Sequence, residues 1–269
     1  MYLMAIGLTA LCLMGFAFYM FYIAHHDVID VRTIRDPLLP EAFNGLTIFF
    51  ISDIHRRSLN IKTMNKLSSM QVDLVIIGGD LREKGVPFSR TKANLQLLKQ
   101  WQAPIYFVWG NNDYESDYLV LQDLLEKESI HILANSNDII ERQNETIQFV
   151  GLDCSEYREA RLDLAAPNMM EDYSILITHN PTILDTLDST RMSKVNLVLG
   201  GHTHGGQIRF GPLGYYTNGG LKHVGTSTVF ISEGYGYTLL PFRLGTKAEC
   251  HLLTLTNQAQ PRLNDVQQI

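Results

Sequence analysis

The chain has 269 residues, 45% of them hydrophobic and 19% charged, which argues against a disordered or fibrous protein and leaves room for one large domain. A net charge of −6 speaks against a nucleic-acid partner, because such proteins usually carry a basic footprint. Three cysteines without a Cys-x-x-Cys spacing argue against a disulfide scaffold or a cysteine-held zinc site.

Residues 1–24 carry no charged side chain. As a helix rising 1.5 Å per residue, such a run spans a hydrocarbon core of about 30 Å. Tyr19, Tyr22, His25 and His26 follow where headgroups would lie. No Lys or Arg precedes the run and no Ala-x-Ala site follows it, so an uncleaved, single-pass anchor in the cell membrane is expected rather than a signal peptide. Arg32 and Arg35 come next, and by the positive-inside rule they lean the rest of the chain to the cytoplasmic side.

Val28–Ile34 reads as a short strand ended by Pro37 and Pro40. From Leu46 a rhythm sets in, an apolar run leading into a polar turn: Leu46–Ile51 into Ser52-Asp-Ile-His55, and Leu74–Ile77 into Gly78-Gly-Asp80. Ile105–Trp109 leads into Gly110-Asn-Asn-Asp113, Ser174–Ile177 into Thr178-His179, and Leu197–Leu199 into Gly200-Gly-His-Thr-His204. Continuous Ile, Val and Phe runs of this length suit strands buried on both faces. Helices are predicted at Ile61–Met70, at Ser89–Trp101 with Ser89 as N-cap, and at Leu119–Leu125. Alternating strands and helices predict an α/β sheet. In the last third, Val224–Ser232 and Glu249–Leu255 read as strands of a second sheet, expected to be antiparallel. The organisation is thus an anchor at 1–24, a domain at 25–256 and a polar tail at 257–269.

Each of five apolar runs delivers Asp, Asn or His at its end, and α/β sheets bind ligands beyond the carboxyl ends of their strands. A divalent-cation pair needs one shared anion plus oxygen and imidazole ligands. Asp80 is the natural bridge, since Gly78-Gly79 lets backbone approach closely. Asp53 with His55, and His202 with His204, sit two apart, so each pair can face one ion. Asn111 offers a carbonyl oxygen and His179 a ring nitrogen.

Together Asp53-Ile-His55, Gly78-Gly-Asp80, Gly110-Asn-Asn-Asp113, Thr178-His-Asn180 and Gly200-Gly-His-Thr-His-Gly-Gly-Gln207 resemble the motifs of the calcineurin-like metallophosphoesterase superfamily. The resemblance runs from about Gly45 to Leu255. Within it, the apolar N-terminus, Leu39–Leu46 and Leu240–Gly245 look like the membrane-anchored branch of YkuE-type proteins and UDP-2,3-diacylglucosamine pyrophosphatases. It implies a four-layer sandwich of two mixed β-sheets flanked by helices. One metal would be held by Asp53, His55, Asp80 and His204, the other by Asp80, Asn111, His179 and His202. The ions would be Mn²⁺, Fe or Zn²⁺, and a metal-bridging hydroxide would attack phosphorus of a phosphoester or phosphoanhydride. The expected partners are a phosphorylated small-molecule, nucleotide-diphosphate or lipid-linked substrate and, through the helix, the membrane.

One position departs from the pattern. The resemblance implies His at 112, where this chain has Asn112, an amide that cannot deliver a proton near pH 7. A general acid is worth roughly 10²–10⁴ in rate, so a substrate with a leaving group of low pKa is expected. The alternative is a weakly active or non-catalytic metal-stabilised membrane protein. Asn112, Asp113 and Arg56 are the catalytic candidates, Arg56 and Arg57 as possible phosphate clamps. His223 reads as a structural histidine, and Phe210–Tyr216 as an ordinarily packed loop, with contact to lipid or an acyl chain as the alternative.

Overall fold

The structure is a computed structural model that describes residues 1–167 and 172–258; residues 259–269 of the expected tail lie outside them. Helix α1 (Tyr2–His25) follows from an unbroken apolar run, and only Met20 and Ala24 of it are buried. Strand β1 (Asp27–Arg35) continues directly from it. The alternation then unfolds as β2 (Thr47–Ile51), α2 (Ile61–Leu67), β3 (Leu74–Ile77), α3 (Phe88–Leu98), β4 (Ile105–Phe107), α4 (Asn111–Glu115), α5 (Tyr118–Lys127) and β5 (His131–Ile132). After it come β6 (Ser136–Arg142), β7 (Glu145–Gly151), α6 (Leu162–Ala165), β8 (Tyr173–Thr178), α7 (Ser189–Met192) and β9 (Leu197–Gly200). The last strands are β10 (Gly220–Val224), β11 (Ser227–Ile231) and β12 (Ala248–Thr256).

Helix α3 starts one residue before the expected Ser89 cap. Pro87 takes the N-cap place with φ −65° and ψ 138°, and no side chain caps the helix. The proline ring fixes that φ, so the chain enters the helix without needing a hydroxyl.

Two six-stranded sheets face each other, with orders β1-β12-β2-β3-β4-β5 and β10-β11-β9-β8-β7-β6. In the first, β2 to β5 are parallel and β12 runs antiparallel to β2. In the second, β7, β8, β9 and β11 are parallel, with β6 and β10 antiparallel at the edges. The expected antiparallel second sheet is therefore corrected. It is mixed, and the two late strands part company: β11 completes it, while β12 returns to the first sheet between β1 and β2. The segment 224–232 is also not one strand, because Gly225 and Thr226 turn it into a hairpin between β10 and β11.

Side chains alternate across each strand. Ile48 and Phe50 of β2 point between the sheets, where they meet Ile175, Ile177, Leu197 and Phe230. Phe49 and Ile51 point outward beneath Leu95, Leu98, Leu121 and Leu125 of α3 and α5. Val150, Leu176 and Val198 pack outward under Leu162 and Ala165 of α6. The result is the sandwich of two mixed sheets flanked by helices, and it brings the carboxyl ends of β2, β3, β4, β8 and β9 to one edge.

Candidate metal centre

Asp53 and His55 follow β2, Asp80 follows β3, Asn111 follows β4, His179 follows β8, and His202 and His204 follow β9. Five of these side chains sit on left-handed backbone: Asp53 (φ 55°), His55 (51°), Asp80 (50°), His202 (67°) and His204 (48°). Residues other than glycine rarely adopt it, and such strain persists where surrounding structure over-determines the position. Here it does. Asp53 N donates to Gly79 O (3.0 Å), His55 N to Asp80 O (3.1 Å) and Gly201 N to His179 O (3.0 Å). His202 N donates to both carboxylate oxygens of Asp53 (3.1 Å each). A side chain at Gly79, itself at φ +84°, would strike the His179 ring, and one at Gly110 would strike Asp80.

Around one point, His55 Nε2 and His204 Nε2 stand 3.0 Å apart. His204 Nε2 is 3.4 Å and His55 Nε2 3.9 Å from Asp53 Oδ1. Around a second point, His202 Nδ1 lies 3.2 Å from both Asn111 Oδ1 and His179 Nε2, and His179 Nε2 lies 3.3 Å from Asn111 Oδ1. Asp80 Oδ2 joins the two, 3.6 Å from His55 Nε2 and 3.3 Å from His179 Nε2. Among the described residues, Asp53, His55 and His204 form one compact set of ligand atoms and Asp53, Asp80 and His179 another. Carboxylate, carbonyl and imidazole lone pairs this close repel unless cations stand among them, so the donor set fits a pair of divalent ions.

Burial works against a charge on His179, but Asp80 outweighs it and draws that imidazole up to about 10. Burial also opposes the charge on Asp80, yet His179 and His55 hold its carboxyl well below the usual range. Burial, then His55 and then Arg243 push His204 well below an ordinary histidine. His179 Nδ1 lies 2.9 Å from Gly78 O, a carbonyl that can only accept, which leaves Nε2 as the free ligand atom.

The sequence profile of the calcineurin-like phosphoesterase family matches residues 46–206 of this chain. The chain belongs to that family. It is 40% identical over 215 residues to the uncharacterized protein YpbG of Bacillus subtilis, covering 78% of this chain and 81% of YpbG. It is 26% identical over 259 residues to the uncharacterized metallophosphoesterase YkuE of Bacillus subtilis, covering 90% of each. It is 31% identical over 246 residues to a transmembrane protein with metallophosphoesterase domain of Danio rerio, covering 82% of this chain and 55% of that protein. The protein is thus a metal-dependent phosphoesterase with a binuclear-type set of ligand groups.

The other candidates of this phosphoesterase fall in different places. Asn112 lines the roughly 250 Å³ cavity over the metal centre. Its backbone N–H and its Nδ2 both donate to Asp80, each at 2.8 Å. Asp113 is fully buried and accepts from Arg82 N (3.1 Å) and Gly110 N (3.0 Å), fixing the turn behind Asn111. Burial, then the Asp80 charge, raises its carboxyl to about 8. Arg56 turns away to Glu83 (2.5 Å), and Arg57 ties Asp27 (2.6 Å) to Tyr235 O (2.8 Å); neither lines the cavity. His223 is exposed on β10. Phe210–Tyr216 is closed by backbone hydrogen bonds between Phe210 and Leu213 (2.9 and 3.2 Å) and by Tyr215 against Tyr216, while the side chains of Phe210, Leu213 and Tyr215 stand out into solvent.

Arg243 escaped notice in the sequence. It is fully buried, stands 3.0 Å from His204 Nδ1, and gathers the carbonyls of Glu233 (2.7 Å), Gly234 (3.1 Å) and Gly236 (2.7 Å). These carbonyls belong to the loop whose N–H groups at Tyr235 and Gly236 hold Ser52 O and Asp53 O. Arg243 lies in the Leu240–Gly245 segment that carried part of the resemblance, but only the fold shows that it is buried against His204.

Proposed function

We propose that the seven residues hold two divalent cations, drawn from Mn²⁺, Fe or Zn²⁺, and that the enzyme hydrolyses a phosphoanhydride or other phosphate with a weakly basic leaving group. The cations would supply Lewis acidity and an activated water. The observation that carries the substrate class is Asn112. Its amide hydrogens are directed at Asp80, so it steadies the shared carboxylate and has no proton to hand to a departing oxygen. Besides the metal ligands, the proton-bearing acids lining the cavity are the phenols of Tyr215 and Tyr216, and burial raises Tyr216 further. Losing a general acid worth roughly 10²–10⁴ in rate raises the barrier by about 3–5 kcal/mol. A strongly basic alkoxide bears that fully, whereas a phosphate leaving group is already a stable anion.

Helix α1 is long and apolar enough to cross a membrane, and the Danio rerio relative is named as a transmembrane protein. Both support a membrane protein acting on an amphiphilic or lipid-linked diphosphate, and Arg32 and Arg35 favour a cytoplasmic domain. The test is turnover by the full-length protein with added Mn²⁺ across esters of graded leaving-group pKa, with inorganic pyrophosphate and nucleotide diphosphates alongside. A steep fall in rate with rising leaving-group pKa supports the reading, and a flat dependence overturns it.

A further inference from the structure

Helix α1 does not stand clear of the domain. Residues 2–19 cover about 27 Å at 1.5 Å per residue, close to one hydrocarbon thickness. The last turn, with Met20 and Ala24 buried, is seated on the domain instead. Met20 O accepts from Arg243 N at 3.1 Å. Tyr19 and Ile23 share a crevice with Asn218 and Gly219. If α1 spans a bilayer, the chain around Arg243 and around Asn218 therefore lies at headgroup depth.

Two loops lead into those positions, and both carry unpartnered apolar side chains. Leu239 is 86% and Leu240 59% exposed, only three to four residues before Arg243, and Leu240 is thus within about 10 Å of it. Phe210 is 66% and Leu213 73% exposed in the loop that runs on to Asn218. Leu239 also holds left-handed backbone (φ 59°), an unfavourable conformation for a leucine that packs on nothing. The loops are fastened to the catalytic edge. Gln207 Nε2 donates to Thr238 O (3.0 Å) and its Oε1 accepts from Thr238 N (2.8 Å). Tyr215, Tyr216 and Thr238 line the mouth of the metal-centre cavity.

We propose that these two loops, 208–216 and 238–242, form a collar that inserts into the same leaflet from which α1 emerges. The collar seats the cavity mouth at the level of the headgroups. Exposed apolar side chains beside an anchor gain by leaving water for lipid, and aromatic rims suit the interfacial zone. A phosphorylated amphiphile then reaches the metal centre along the membrane surface with its chains still in the bilayer. The proposal rests on the membrane reading given above and names the lipid surface as the occupant of this face.

The test uses the full-length protein in nanodiscs of phosphatidylethanolamine and phosphatidylglycerol, with Cys12→Ala as background. An environment-sensitive fluorophore is placed at Leu213→Cys, at Leu240→Cys, or at the control Ile139→Cys, which lies on edge strand β6 away from α1. Lipids bearing a quencher near the headgroup should quench the first two several-fold more strongly than the third. Equal quenching at all three positions overturns the collar, whatever the enzyme hydrolyses. Strong quenching in a protein that cleaves no phosphate upholds the collar and overturns the catalytic reading instead. As a second arm, Leu213→Ser with Leu240→Ser should leave turnover of soluble bis-p-nitrophenyl phosphate within about twofold. It should slow turnover of a bilayer-embedded lipid diphosphate by at least about tenfold, the order expected when two leucines no longer partition into lipid. An equal effect on both substrates contradicts the proposal.

Discussion

His251 on β12 and the histidines of the metal centre are all drawn into the interior, yet they are satisfied in opposite ways. His251 Nε2 meets the Ser232 hydroxyl at 2.8 Å, and Nδ1 meets Asp30 Oδ2 at 3.1 Å. Asp30 in turn accepts from Arg32 Nε at 2.6 Å, and Ser232 Oγ accepts from Gly234 N at 3.0 Å. Both ring nitrogens of His251 thus have partners, and Ser232 and His251 are sealed from solvent. A Ser-His-Asp chain so closed is an element of structure, whatever its outward likeness to a hydrolytic triad. At the metal centre the same residue types turn their lone pairs towards one another, with a cavity open above them. Buried polar groups need partners. A set whose ring nitrogens meet such partners is a brace, and a set whose lone pairs face one another beneath an open cavity is a receptor for positive charge.

Asp80→Ala should break the contrast most severely. Removing the shared carboxylate should lower both metal content and turnover, the latter by at least about 10³-fold, beyond the 10–100-fold typical of outer-shell changes. Parallel metal analysis and kinetics check this. His251→Ala should act on folding instead. Removing one partner of a buried ionic hydrogen bond should destabilise the protein by about 3 kcal/mol, read by thermal unfolding, while the folded fraction keeps its metals.

Acid should sharpen the same distinction. Burial works against the Asp30 carboxylate, but hydrogen bonds from His251 and Arg32 prevail and hold it at about 2. A depressed acid contributes stability above its ordinary value near 4 and loses it as pH falls towards 2. With solvent screening this amounts to about 1–2 kcal/mol. Denaturant unfolding should show that loss, and Asp30→Asn should remove this share of it. Asn112→His should speed alkyl phosphates by about tenfold, part of what a general acid provides, and change aryl phosphates little. The smallest effect belongs to Arg56→Ala. Arg56 is half exposed, does not line the cavity and reaches His55 only through the buried Glu83, so turnover should move by less than about twofold.

The candidate ligands were legible because each ends an apolar run, and the pattern of run then polar residue survives without knowledge of the fold. The β6–β7 hairpin was not. Its strands carry Asp138, Glu141, Arg142 and Glu145 at the solvent edge, and Gln143 and Asn144 make the turn with positive φ (52° and 65°) rather than with glycine. The fate of β12 was equally hidden. Its apolar alternation suits either sheet, and only pairing with β1 and β2 decides between them. Arg243 and Asp30 illustrate the same limit, since a charged residue declares itself buried only through partners distant in sequence.

In the proposed centre one shared carboxylate, that of Asp80, joins two cations. Electron paramagnetic resonance of the manganese-loaded, full-length protein distinguishes such a pair from separate ions. The spectrum should be that of an exchange-coupled pair, and it should disappear in Asp80→Ala. A spectrum of isolated, uncoupled manganese in the parent protein, or none bound at all, would contradict it.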